Sequence, residues 1–197
     1  MLNLFDCPNL LPFDGEVFLY ENIFPKELSH FYFEQLKSEI NWKQEAMKIY
    51  GKEVLFPRLT AWYAEDGKTY KYSGLLNLPE EFDKNLKEIK FFVEEKCKFN
   101  FNSALLNYYR SGQDSMGWHA DNEPELGKNP VIASVSIGGG RKMQFKHRKV
   151  ANSTINIYLP PNSLLLMQGE TQHHWLHQIP KTKASNERIN ITFRFIN

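Results

Sequence analysis

Asn107-Tyr-Tyr-Arg-Ser-Gly-Gln-Asp-Ser-Met-Gly-Trp-His-Ala-Asp121 is the stretch on which the reading of this chain turns. It spans two strand candidates, 104–110 and 117–121. At its end His119 and Asp121 sit two apart. In an extended strand, residues two apart point to the same face. An imidazole nitrogen and a carboxylate oxygen can then reach one metal ion.

Working outward, the pattern of short strands continues through 131–137, 142–147, 154–159, 163–168, 173–178 and 188–195. Gly138-Gly-Gly140 and Pro160-Pro161 punctuate it. About eight short strands in succession predict a jelly-roll, or double-stranded β-helix. A short strand candidate, Glu16 to Tyr20, and two helices precede it. Leu28, Phe31, Tyr32, Leu36 and Ile40 recur at helical spacing and predict a helix over 25–40. Phe82, Leu86, Ile89 and Val93 mark a second over 79–96. The expected class is α+β: a jelly-roll core buttressed by N-terminal helices. Residues 1–197 read as a single domain, with helices and a hairpin in 1–100 and the jelly-roll in 101–197. In that hairpin Leu59 to Tyr63 runs out, Asp66-Gly67 turns and Tyr70-Lys-Tyr72 returns. Tyr70 and Tyr72 share a face, which suits cross-strand packing and base stacking equally.

A metal needs a third protein ligand, and the chain offers few. His177, in His173-His-Trp-Leu-His-Gln-Ile-Pro180, is the first choice, with His173 and His174 as competitors. Two histidines and one carboxylate on one face of a metal form the ligand set of non-haem Fe(II) oxygenases. The His-x-Asp pair alone is weak evidence, because buried histidines more often satisfy a hydrogen bond. The C-terminal run Arg188-Ile-Asn-Ile-Thr-Phe-Arg194 adds to it. Arg188, Asn190, Thr192 and Arg194 fall on one face and Ile189, Ile191 and Phe193 on the other. An edge strand with a solvated face has this pattern too. Here, however, two guanidiniums share a face, at most about 20 Å apart. They are suited to bidentate grip of a dicarboxylate.

The bulk properties restrict the partners. The 197 residues carry a net charge of +1, so electrostatics alone does not announce nucleic acid. Local basic clusters stand out at Arg141-Lys142, at Lys146-His-Arg-Lys149, and at Lys181 and Lys183. Two cysteines, Cys7 and Cys97, are no disulfide framework and point to a reducing interior. With no signal peptide or long apolar run, the chain is expected to be a soluble, intracellular monomer of cytoplasm or nucleus, away from membranes.

His119-x-Asp121, a distal His177 and the closing Arg-x-Asn-x-Thr-x-Arg strand together resemble the AlkB family of Fe(II)- and 2-oxoglutarate-dependent dioxygenases. Asn107-x-Tyr109 and the run Pro130 to Gly138 fit the same pattern. Pro57-Arg-Leu-Thr-Ala-Trp-Tyr63 and Thr69-Tyr-Lys-Tyr-Ser-Gly74 look like nucleotide-recognition segments of its nucleic-acid-repairing branch. The resemblance implies that Fe(II) sits on His119, Asp121 and His177. It implies that 2-oxoglutarate is held by Asn107, Tyr109, Arg188, Asn190, Thr192 and Arg194, with O2 completing the site. The resemblance assigns both arginines to the co-substrate, with Arg194 at the carboxylate near the metal and Arg188 at the distal one as the first choice and the reverse left open. The implied reaction is oxidative demethylation of 1-methyladenine- or 3-methylcytosine-type bases in DNA, with RNA open, releasing formaldehyde and succinate. Such a base must leave the helix stack. Tyr70, Tyr72, Ser73 and Glu123 are then expected to line its pocket, and Arg58 to hold the hairpin or meet a phosphate. His147 is placed with the phosphate-binding basic run. The alternative is a 2-oxoglutarate-dependent hydroxylase or demethylase acting on a protein or small molecule. A metal-free binding module on the same barrel is a third reading, disfavoured by intact ligands.

Overall fold

The computed structural model describes residues 7–49, 52–65, 70–72, 75–77, 79–183 and 186–197, with backbone alone for 47–49, 52, 70–72 and 75–77. In chain order the elements are β1 (Glu16–Glu21), α1 (Lys26–Glu39), β2 (Ala46–Ile49), β3 (Lys52–Leu55), β4 (Leu59–Ala64), β5 (Tyr70–Tyr72), β6 (Leu75–Asn77) and α2 (Lys84–Cys97). After these come β7 (Ser103–Tyr109), β8 (Met116–His119), β9 (Ile132–Gly138), β10 (Arg141–His147), β11 (Thr154–Leu159), β12 (Ser163–Gln168), α3 (Thr171–His174), β13 (Trp175–Ile179) and β14 (Arg188–Arg194).

The two helices form where the apolar spacing predicts them. On α1, Tyr32, Phe33 and Leu36 are buried, and the helix stops where Ile40 turns extended. The second begins later than its apolar stripe suggests. Asp83 accepts a hydrogen bond from the Leu86 N–H (2.8 Å), so it caps α2 and leaves 79–82 outside the helix. Glu80 instead bridges to Tyr63. The buried faces of both helices pack with Leu106, Val135, Ile189, Ile191 and Phe193 in one core. Each such aliphatic or aromatic side chain contributes about 1.5–3 kcal/mol on burial.

Two antiparallel sheets make the jelly-roll. A six-stranded sheet has the order β1-β12-β9-β14-β7-β4, and a four-stranded one the order β11-β10-β13-β8. Leu105, Met143, Phe145, Ile157, Leu165, Met167 and Trp175 fill a second core. The closing strand β14 is no edge strand. It lies between β9 and β7, and all seven of its residues are buried. Its apolar residues face the helices, which frees Arg188, Asn190, Thr192 and Arg194 for the space between the sheets.

Three expectations are corrected. β4 does not fold back on Tyr70–Tyr72; it pairs with β7, while β5 pairs with β6. The side chains of β4 are almost all buried, so a long central neighbour satisfies it better than a three-residue strand. Asp66-Gly67 lies outside the described residues. The strand expected over 173–178 begins at Trp175, because Thr171–His174 form one helical turn. Finally, β1 and β4 join the six-stranded sheet, so the barrel is not confined to 101–197.

Candidate active site

Strand β8 ends at His119, and Asp121 lies two residues into the loop beyond it. The convergence is therefore made by the neighbours as well as by strand alternation. His177 on β13 stands directly opposite His119 in the register, and their ring centroids are 4.2 Å apart. The backbone N–H of Asp121 donates to Gln172 Oε1 (3.0 Å), and Arg194 donates to Asp121 Oδ1 (2.9 Å). One ligand atom from each of His119, Asp121 and His177 lies within 4.8 Å of the others. The competitors point elsewhere: His173 meets Asn129, and His174 lies 3.5 Å from Glu170.

The protonation states suit metal binding. His119 Nδ1 lies 2.9 Å from the Gly117 carbonyl oxygen. A carbonyl only accepts, so Nδ1 carries the proton and Nε2 keeps its lone pair. Burial lowers the pKa of His119, and burial together with the neighbouring His119 holds His177 at about 3. Burial raises Asp121, but Arg194 foremost outweighs it and holds the carboxyl at about 2. Two neutral imidazoles and an ionised carboxylate are the forms that ligate.

From these groups a slot runs between the sheets, lined by Asn107, Tyr109, Asn190, Thr192, Arg188 and Arg194 among others. Asn190 donates to Ser134 Oγ and to the Val135 carbonyl (2.8 Å each), and its Oδ1 accepts from Thr192 (3.0 Å). Arg188 is 1% exposed and donates to Ser136 Oγ (2.9 Å). Burial lowers it to about 10, against the opposing pull of Tyr109, so it stays charged at neutral pH. Its Nε and Nη1 are buried without a hydrogen-bond partner among the described residues. Leaving a buried donor unpaired costs about 1–3 kcal/mol. A carboxylate in the slot removes that cost.

The other expected contacts are distributed unevenly. Arg58 is 3% exposed, donates to Asn107 Oδ1 (2.6 Å) and lies over the Phe56 ring. It braces the slot and presents no face to a phosphate. His147 is also buried, so its placement in a phosphate-binding run is corrected. Glu123 is half-buried at the start of the turn Pro124–Leu126, and Tyr70 and Tyr72 are placed by backbone alone. Ser73 lies outside the described residues.

Sequence reasoning missed Gln172, Ser134, Ser136 and Arg141. Ser134 and Ser136 had a signal, since they alternate with Ala133, Val135 and Ile137 in an otherwise apolar strand. Arg141 reads as half of a basic pair, yet it is buried and donates to the carbonyls of Asp114 (2.9 Å) and Pro180 (2.8 Å). Its guanidinium and that of Arg188 lie 5.3 and 5.0 Å from the Tyr109 ring centroid. Gln172 had no signal beyond its nearness to His173.

Residues 16–194 match the family described as the 2OG-Fe(II) oxygenase superfamily. "Alpha-ketoglutarate-dependent dioxygenase alkB homolog 3" of Homo sapiens is 35% identical over 192 residues, covering 92% of this chain and 66% of that protein. "DNA oxidative demethylase ALKBH2" is 34% identical over 190 residues in Homo sapiens, covering 90% of this chain and 72% of the relative. This chain spans 60–66% of the length of the mammalian alkB homolog 3 proteins it matches, just under two thirds. A solved structure described as "The structure of OsALKBH1" has the same fold, with a TM-score of 0.69 at 13% identity over 94% of this chain and 99% of that one.

Proposed function

The chain belongs to the 2OG-Fe(II) oxygenase superfamily and, within it, to the AlkB family, and on that footing we propose that it removes alkyl groups oxidatively from N-alkylated bases of the 1-methyladenine and 3-methylcytosine type. DNA is the proposed substrate, with RNA open, and the role is direct reversal of alkylation damage. One observation carries the reading. His119, Asp121 and His177 converge at a slot whose wall is the polar face of β14. The relatives named as DNA oxidative demethylases support the substrate class.

In this reading His119, Asp121 and His177 hold Fe(II), and the β14 face holds 2-oxoglutarate. Together with O2 these supply the hydroxylation of the alkyl carbon, giving succinate and carbon dioxide. The protein's part is to orient and exclude. Gly117 fixes the His119 tautomer, Gln172 ties down the Asp121 backbone N–H, and Arg194 holds the Asp121 carboxylate. The unpartnered donors of Arg188 grip the distal carboxylate of the co-substrate, while Arg194 serves the end near Asp121. Tyr109 packs beside Arg188, and Asn107 is held by Arg58. Leu105, Met143, Leu159, Met167 and Ile179 keep water out of the slot. By the family resemblance, Tyr70, Tyr72, Ser73 and Glu123 are assigned to receiving the extruded base. Once hydroxylated, the N-hydroxymethyl group leaves as formaldehyde and the base regains its N–H or lone pair.

The test is anaerobic loading with Fe(II), 2-oxoglutarate and a 1-methyladenine oligonucleotide, then exposure to air and mass spectrometry. The expected result is loss of one methyl group with formation of formaldehyde and succinate, abolished in His119→Ala. An unchanged oligonucleotide accompanied by succinate moves the substrate to another class and overturns the reading.

A further inference from the structure

The acidic residues are unevenly spread. The chain has 23 carboxylates against 24 cationic side chains, yet residues 126–169 contain none, while Lys128, Arg141, Lys142, Lys146, Arg148 and Lys149 fall within them. Strands β8 and β13 also lack Asp and Glu. All four strands of the smaller sheet are therefore free of carboxylates.

The register shows what this sheet turns outward. Met143, Phe145 and His177 face inward. Lys142 pairs with Tyr158, Gln144 with Asn156 and Gln178, and Lys146 with Thr154 and Leu176, so these residues share the opposite face. Lys142, Lys146, Thr154, Asn156 and Tyr158 are all exposed, Tyr158 at 63%. Gln178 donates to Gln144, and Gln144 donates to Asn156 (2.7 Å each), which makes a flat amide shelf across three strands. Gly140 gives the Tyr158 hydroxyl room, since a Cβ there would collide with it. Beside that ring a surface recess of about 640 Å³ opens between Lys142, Gln144 and Lys181. At the far edge, β8 exposes Trp118 (40%), next to His119 in the slot. Three inter-strand spacings separate the two aromatic residues, about 14 Å across the sheet.

We propose that the outer face of the four-stranded sheet binds single-stranded nucleic acid, carrying the strand from Trp118, the chain neighbour of His119, across the amide shelf to Tyr158 and its recess. Lys142, Lys146 and Lys181 meet phosphates, and the two aromatic rings stack bases. Sheet faces that combine aromatic platforms with cations serve single strands in this way, because every base has a π-face. A net charge near neutrality fits such an arrangement: the attraction is confined to one face instead of covering the molecule. The inference rests on the base-dealkylation reading for its substrate class and extends it to the strand outside the active site.

The experiment measures fluorescence anisotropy of an unmodified, labelled 20-mer deoxyoligonucleotide at several salt concentrations. It also measures demethylation of a methylated 20-mer and a methylated trinucleotide. Lys142→Ala/Lys146→Ala is expected to reduce the log–log salt slope by about 1.4, at about 0.7 for each phosphate no longer neutralised. Tyr158→Ala is expected to weaken 20-mer binding about tenfold, within the range for unstacking one base from an aromatic ring. Both variants should raise KM for the 20-mer relative to the trinucleotide. Variants that bind the 20-mer with wild-type affinity and salt slope, while methyl groups are still removed, overturn the surface and leave the dealkylation reading intact. Weakened binding in the variants with no demethylation by the wild type supports the surface and sinks the dealkylation reading. A wild type that binds no 20-mer at low salt, or binds the duplex more tightly through the same residues, overturns the single-strand assignment.

Discussion

Among the described residues a histidine pair and an aspartate come together twice, and only one grouping is set up to hold a metal. In the first, His119 gives its Nδ1 proton to the Gly117 carbonyl and keeps the Nε2 lone pair. In the second, Asp14, His147 and His174 also have ligand atoms within 4.8 Å of one another. There His147 Nδ1 accepts from the backbone N–H groups of Lys149 (3.2 Å) and Val150 (2.9 Å). A neutral imidazole that accepts at Nδ1 must carry its proton on Nε2. That nitrogen lies 3.3 Å from Asp14 Oδ2. With its proton there, no lone pair remains for a cation. Trp175 packs edge-on against the same ring and donates to the Phe13 carbonyl (3.1 Å), so this grouping fastens the segment before β1 onto β10 and β13. Residue type and proximity are shared; the backbone around one ring nitrogen decides between ligand and latch.

The largest expected effect comes from exchanging the two groupings in mutagenesis. His177→Ala should abolish demethylation of the oligonucleotide, whereas His147→Ala should retain it, as read by the mass shift. Equal losses would break the distinction. Next, Arg188→Leu removes the grip on the distal carboxylate. Truncating one partner of a buried charged pair costs about 2–5 kcal/mol, so KM for 2-oxoglutarate should rise about thirtyfold or more. An unchanged KM would place the co-substrate elsewhere. Gln172→Ala unties the Asp121 N–H, and removing such a supporting hydrogen bond typically costs about 10–100-fold in metal affinity. Competition with a chelator reads it. The latch should answer differently: His147→Ala leaves two backbone donors unpaired and should cost about 1–3 kcal/mol in urea unfolding.

The smallest effect concerns the loop that Arg141 anchors. Burial raises the pKa of Asp114, but the side chain and backbone N–H of Arg110 together with Arg141 outweigh it and leave the carboxyl below its usual value. A depressed folded-state pKa contributes stability above the unfolded value, about 3.9, that is lost as pH falls through the folded one. Asp114→Asn should therefore be less stable at neutral pH and lose less on acidification below about pH 4, as unfolding midpoints at pH 7 and pH 3.5 would report.

How much of this was legible in the sequence follows from what periodicity can carry. The strict alternation of Arg188 to Arg194 announced both faces of β14, because a strand fixes side at every step. It could not announce that β14 is central, since neighbours come from residues far away in the chain. His119-x-Asp121 was readable as a pair, but Gln172, which orients the aspartate, lies on a helical turn too short to leave a pattern. Arg141 and His147 looked like members of basic clusters. Register turns them inward while Lys142 and Lys146 beside them face out, and composition does not distinguish adjacent residues on opposite faces. The pairing of β4 with β7 was likewise illegible, because a buried strand takes a long partner that lies far along the chain.

The most direct test of the central claim is the count of bound metal by native mass spectrometry, under anaerobic loading with Fe(II), for the wild type, Asp121→Ala and Asp14→Ala. One ion in the wild type and in Asp14→Ala, and none in Asp121→Ala, is the predicted result. Two ions in the wild type, or an ion retained in Asp121→Ala and lost in Asp14→Ala, would contradict it.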